Sequence, residues 1–171
     1  DKEREYTADR NHVSWFYTAR KAAEREHEVL TDLYPDVSVP RPVDQNRHAI
    51  LMEKFEGVEL KRASLPPEQV IGVCDLVLRE VRDAYAAGYV HADMSQHNVA
   101  VAESGVTVFD WPQAVATDHE NADEFLERDV TNVVGFFKQK YPGEMPDDVD
   151  TRALAKAIAD GEFGSVAKFE E

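Results

Sequence analysis

The chain has 171 residues, 43% of them apolar, and carries 34 acidic residues against 19 Lys plus Arg, a net charge of −15. That length and apolar share suit one globular domain with its own core, and the acidic balance excludes a surface that attracts nucleic acid or anionic membrane as a whole. A single cysteine, Cys74, excludes an internal disulfide framework.

The acids are spread along the chain. Such a distribution predicts a solvated acidic shell of the kind suited to a high-salt cytoplasm, where screening cancels self-repulsion. The plainer reading is an acidic protein. No apolar run approaches the length of a membrane span, and "DKEREYTADR" has no signal-peptide character. The expected location is the cytoplasm.

The first predicted helix runs from about Val13 to Tyr34. Trp15, Ala19, Ala22, Ala23, Glu26, Val29, Leu30 and Leu33 recur at helical spacing, and Pro35 ends it. Pro40 and Pro42 in "VSVPRPVD" impose extended backbone suited to an edge strand. Ala49–Met52 in "HAILMEKF" reads as a short buried strand. Gly57 then bends the chain. Pro66 and Pro67 open a second helix. Val70, Val73, Val77, Val81 and Ala84 trace its inner face, and Gly88 stops it. Strands at 98–101 and 106–109 flank "ESG", a hairpin signal. A helix is predicted over "NADEFLERDVTNVVGFFKQKY" up to Pro142, and a last one over 148–159, stopped by Gly161. Few strands, antiparallel-capable, and a helical second half indicate an α+β fold.

The segment "VHADMSQHN", residues 90–98, concentrates polar groups between apolar runs, and Asp110 follows twelve positions after Asn98. Four readings compete: a metal site, a phosphoryl-transfer site, a nucleotide-binding remnant and an ordinary polar turn. Zinc ligation by His91, Asp93 and His97 lacks a fourth ligand at a familiar spacing. The spacing His91-x-Asp93-x-x-x-x-Asn98, closed by Asp110 across a hairpin, has what phosphoryl transfer needs. Asp93 can orient and deprotonate a hydroxyl, while Asn98 and Asp110 can hold Mg²⁺ by sparse oxygen ligation. His91 suits a structural role in the loop, and His97 a place at the pocket edge.

These residues resemble the RIO atypical protein kinases, and the second RIO subfamily in particular. "SWFYTARKAAEREHEVLTDLY", "VPRPVDQNRHAILME", "GYVHADMSQHNVAV", "VFDWPQAVATDHENADEFLERDV" and "FFKQKYP" are similar to that subfamily's segments in its order. "DWPQ" stands in place of D-F-G, and no long activation segment follows. The resemblance implies a protein-kinase-like fold: residues 1–53 as the regulatory helix and hinge strands of an N-lobe remnant, residues 54–171 as the C-lobe. It implies Asp93 as the catalytic aspartate, Asn98 and Asp110 as Mg²⁺ ligands, Asp110 also as a transient phosphoryl acceptor, and Ser95 as a contact to phosphate or metal. Glu26 falls where a regulatory-helix Glu pairs with an ATP-binding Lys; the plain alternative is an exposed acid. Glu53–Phe55 would form the adenine-binding hinge, with Met52 lining the pocket or packing in the core. Asp129 in "ERDV" resembles a buried helix acid that holds the catalytic loop.

Two departures stand out. Ala92 replaces the Gly of H-G-D, and no Gly-rich loop with a strand Lys precedes Val13; Lys2 lies too close to the first helix. The expectation is therefore an N-terminally truncated piece of an archaeal, halophile-like enzyme. The implied function is ATP- and Mg²⁺-dependent serine/threonine phosphorylation, or ATP hydrolysis, in small ribosomal subunit maturation. A protein or pre-ribosomal partner is expected, without strong direct nucleic-acid binding. The alternatives are a phosphotransferase of the aminoglycoside or choline type and a scaffold without turnover.

Overall fold

The structure, a computed structural model, describes residues 2–170, with side chains described from Trp15 onward. The Lys2 side chain therefore lies outside the described residues. Helix α1 spans Lys2–Leu33 and starts well before Val13. Nothing in "KEREYTADRNH" is a Pro or Gly, so no breaker halts the helix there, whereas apolar spacing marks only the stretch that packs. Its packed face carries Ala23, Val29, Leu30 and Leu33, all buried. Trp15, Phe16 and Tyr17 are half or more exposed.

Strands β1 (Pro42–Asn46) and β2 (Ala49–Met52) form a two-stranded antiparallel ribbon. Ala49–Met52 is a strand as expected, but not a buried one. Leu51 is 59% exposed and Val43 54% exposed, while Ile50 and Met52 are partly buried. The ribbon packs against α1, so alternate side chains face out. Gly57 does more than bend the chain. Its φ is +129°, and a Cβ there would lie 2.9 Å from the Val101 carbonyl oxygen. That close approach lets β3 (Val58–Glu59) pair with β5 (Val99–Ala102).

Helix α2 (Val70–Ala86) follows a 3₁₀ turn at Pro67–Gln69. All five predicted inner-face residues are buried, and Gly88 at φ +99° follows its end. Strand β6 (Gly105–Val108) completes the predicted hairpin with β5, in the register Val99↔Val108 to Ala102↔Gly105. The short pair β4 (Tyr89–Val90) and β7 (Val115–Ala116) was not foreseen; it closes the chain on either side of the polar loop. Helix α3 spans Ala122–Lys140. Helix α4 spans Thr151–Ala159 and begins later than 148, because the Asp150 side chain caps it, accepting from the amides of Arg152 and Ala153. One core unites α2, α3, α4 and the hairpin, with Trp111, Phe137, Leu154 and Ile158 among its fully buried side chains.

Candidate functional site

The polar loop leaves β4 at Val90 and enters β5 at Val99. Its backbone has little freedom. The Ala92 amide donates to Asp129 Oδ2 at 2.8 Å and the Met94 amide to Asp129 Oδ1 at 3.0 Å. The Ala92 carbonyl accepts from the Arg128 guanidinium, and the Met94 carbonyl from Asn132 Nδ2 at 3.2 Å. The Asp93 amide donates to His91 Nδ1 at 3.3 Å, and the Asp93 carbonyl accepts from Asn98 Nδ2 at 2.8 Å. Every backbone N–H and C=O from Ala92 to Met94 is thus taken by a side chain.

Asp129 is fully buried. Burial pushes its carboxyl above the ordinary range, against the pull of the two amides it accepts. It holds this backbone, as the resemblance implies. The motif spacing does not point to Arg128 or Asn132. A signal existed: Asp129 interrupts an apolar stripe of Leu126, Val130, Val133 and Phe137, and a charge in such a stripe needs partners. Its neighbours on α3 then reach the same loop.

His91 is buried, accepts from the Asp93 amide and meets the Phe109 carbonyl through Nε2 at 3.1 Å. Its ring lies 4.5 Å from that of Trp111. One ring nitrogen thus serves the loop and the other the end of β6, a structural role. His97 instead pairs with Glu59, Nδ1 to Oε1 at 2.8 Å. Among the described residues no group of three or more His, Cys, Asp or Glu is placed to hold a metal ion.

Against this fixed backbone stand three oxygen-bearing side chains, two of them exposed. The carboxylates of Asp93 and Asp110 are exposed, and no hydrogen bond among the described residues engages them. Asn98 is buried with its Nδ2 tied to Asp93, which turns Oδ1 the other way. The Phe109 amide donates to the Asn98 carbonyl at 2.9 Å, one step beyond the Val99↔Val108 pair. Asn98 and Asp110 therefore flank the open end of one hairpin. Asp110 has φ +66°, a left-handed turn that breaks the strand line before Pro112. An amide oxygen and an exposed carboxylate at the two feet of one hairpin are hard-oxygen donors of the kind that suits Mg²⁺ completed by water and phosphate. Ser95 lies partly buried in the same loop; its hydroxyl accepts from the His97 amide at 3.3 Å.

Glu26 reaches this site from α1. It is partly buried, and its Oε1 accepts from the Trp111 amide at 3.3 Å. Burial, and then the charge of Asp110, raise its carboxyl above the usual range. Arg25, next to it, donates to the Ala114 carbonyl at 3.2 Å and 3.3 Å. So α1 grips both ends of "WPQA" after Asp110. Past the ribbon, the Glu53 amide donates to the Arg41 carbonyl at 2.9 Å, so only its carbonyl remains for another partner. Phe55 packs on Phe109, ring centroids 5.1 Å apart, and Met52 is partly buried. Phe55 thereby joins the segment after β2 to the strand that leads into Asp110.

A sequence model of the RIO domain matches residues 1–153. The chain is 43% identical over 150 residues to the RIO-type serine/threonine-protein kinase Rio2 of Methanocaldococcus jannaschii, covering 85% of this chain and 55% of that one. It is 32% identical over 160 residues to the serine/threonine-protein kinase rio2 of Schizosaccharomyces pombe, covering 90% and 45%. The fold superposes on the Rio2 kinase–ADP/Mg²⁺–phosphoaspartate complex from Chaetomium thermophilum with a TM-score of 0.73 at 25% identity, covering 90% of this chain and 48% of that one. The chain spans about half the length of these relatives. Among the described residues no helix is long and apolar enough to cross a membrane.

Proposed function

The chain belongs to the RIO family, and from that premise we propose that it carries the site of an ATP- and Mg²⁺-dependent serine/threonine kinase or ATPase. The observation that carries the proposal is the contrast at the loop: a backbone bonded at every polar group around Asp93, and an exposed Asp93 carboxylate. A proton acceptor must be aimed yet unoccupied, and this arrangement supplies both.

Asp93 takes the proton from the attacking hydroxyl through a carboxylate oxygen. Asn98 Oδ1 and Asp110 are the residues that would hold Mg²⁺, which when bound neutralises phosphate charge. Ser95 contributes a hydroxyl toward the same phosphate. The Glu53 carbonyl and the Phe55 amide face adenine as the hinge, beside Met52. Glu26 keeps the segment after Asp110 in place and offers a carboxylate to an ATP-binding Lys. In this reading residues 1–53 belong to an N-lobe and residues 54–171 form the C-lobe. The relative from Chaetomium thermophilum is described as a phosphoaspartate complex, which favours Asp110 as a transient phosphoryl acceptor here. The "DWPQ" segment favours the second RIO subfamily, and with it a role in small ribosomal subunit maturation on a pre-ribosomal partner. The net charge of −15 suits an archaeal, high-salt cytoplasm.

The test is ATP turnover with Mg²⁺ by the chain and by Asp110→Ala and Asp93→Ala. Loss of about a thousandfold or more in either variant is expected, since each removes a group the transition state requires. Retained turnover in both would overturn the assignment.

A further inference from the structure

Two peptide planes meet at the Asp93 Cα, and together they set where its carboxylate points. The first holds the Ala92 carbonyl and the Asp93 amide. Arg128 takes the carbonyl and His91 the amide. The second holds the Asp93 carbonyl and the Met94 amide. Asn98 takes the carbonyl and Asp129 the amide. Each plane is therefore pinned at both its donor and its acceptor. Beyond the second plane, Asn132 pins the Met94 carbonyl.

Ala92 needs this restraint. Its φ is +63°, a left-handed conformation that an L-residue leaves unless its surroundings hold it there. Arg128 is itself aimed: its guanidinium lies 4.9 Å from the centroid of the Phe125 ring, three residues earlier on α3. Arg128, Asp129 and Asn132 fall within little more than one helical turn, so a single rigid element presents all three.

We infer that Arg128 and Asn132 are positioning residues for the proposed reaction, acting through the Ala92 and Met94 carbonyls on either side of Asp93 rather than by touching substrate. The inference rests on the function proposed above, and its test separates the two. Removing either donor frees a carbonyl, lets the Ala92–Met94 backbone relax, and misaims Asp93. Binding of nucleotide and metal, which falls to Asn98, Asp110 and the hinge, stays as it was.

The experiment compares Arg128→Met, Arg128→Lys and Asn132→Ala with the unaltered chain by two readouts. Hydrogen exchange at the Ala92, Asp93 and Met94 amides is expected to quicken about tenfold or more in Arg128→Met and Asn132→Ala, with the β5–β6 amides unchanged. ATP turnover is expected to lose about tenfold or more in kcat, as for a misplaced catalytic group, at an unaltered KM for ATP. Arg128→Lys keeps one donor and restores part of both. Loop exchange unchanged in both truncations overturns the inference, as does quickened exchange with an undiminished kcat. Absence of turnover by the unaltered chain, with loop exchange still responding, defeats the proposed reaction and leaves the clamp standing.

Discussion

Around Asp93 the backbone is held by side chains and the carboxylate is exposed; in the β1–β2 ribbon the backbone is paired and the outer apolar side chains are exposed. The loop draws on five side chains, two of its own, His91 and Asn98, and three from α3. The ribbon relies on its own ladder and on α1, with Leu51 and Val43 more than half exposed. A residue in the loop is therefore tied to distant residues, and a residue on the outer face of the ribbon is tied to little. The difference predicts where the chain tolerates change.

The largest effect is expected at Asp129. Asp129→Ala leaves the Ala92 and Met94 amides without their acceptor, at about 4 kcal/mol for the pair, read as a lowered urea midpoint. Leu51→Ser on the ribbon should cost no more than about 0.5 kcal/mol. Equal losses at the two positions would erase the contrast. Next comes His91→Ala, which removes an acceptor, a donor and the Trp111 contact together. A loss of about 2–3 kcal/mol is expected by the same measurement.

A smaller, pH-dependent effect is expected at Glu26. Its folded-state pKa is raised, first by burial and then by Asp110. The stabilisation linked to its neutral form is complete below the unfolded-state pKa and is lost as pH rises through the folded-state value. Glu26→Gln keeps an acceptor for the Trp111 amide without the buried charge. The variant should match the parent in acid and become modestly the more stable of the two at neutral pH, solvent screening at this partly exposed group keeping the gain small. Urea midpoints at both pH values check this, and a Gln variant weaker at neutral pH would contradict it. The smallest effect belongs to Ala92→Gly. Relief of the left-handed φ is worth about 1 kcal/mol or somewhat more, and the extra freedom of unfolded glycine offsets much of it. The midpoint should move upward slightly or not at all.

Much of the fold is legible in the sequence where a period and a stop coincide. The face of α2 runs Val70, Val73, Val77, Val81, Ala84 and ends near Gly88, and all of it lies where the spacing puts it. The β5–β6 hairpin follows from apolar runs around "ESG". Strands of two residues, such as β3, β4 and β7, carry no period and are invisible to such reading. The exposure of Leu51 was equally hidden, because "AILM" fits a strand buried on both faces or on one. At the site, Asp93, Asn98 and Asp110 stand out by spacing alone. Arg128 and Asn132 do not, since their bonds to Ala92 and Met94 cross more than thirty positions, and only the charge of Asp129 within its apolar stripe points to their stretch of α3.

The central claim is that Asn98 and Asp110 share one divalent ion at the mouth of the hairpin, beside a free Asp93. Manganese, a paramagnetic stand-in for Mg²⁺, tests it most directly when titrated with ADP into ¹⁵N-labelled chain in molar KCl, which screens the diffuse acidic surface. The account predicts selective broadening of the Asn98, Val99, Phe109 and Asp110 amides, abolished in Asp110→Ala. Broadening centred elsewhere, or undiminished in that variant, would contradict it.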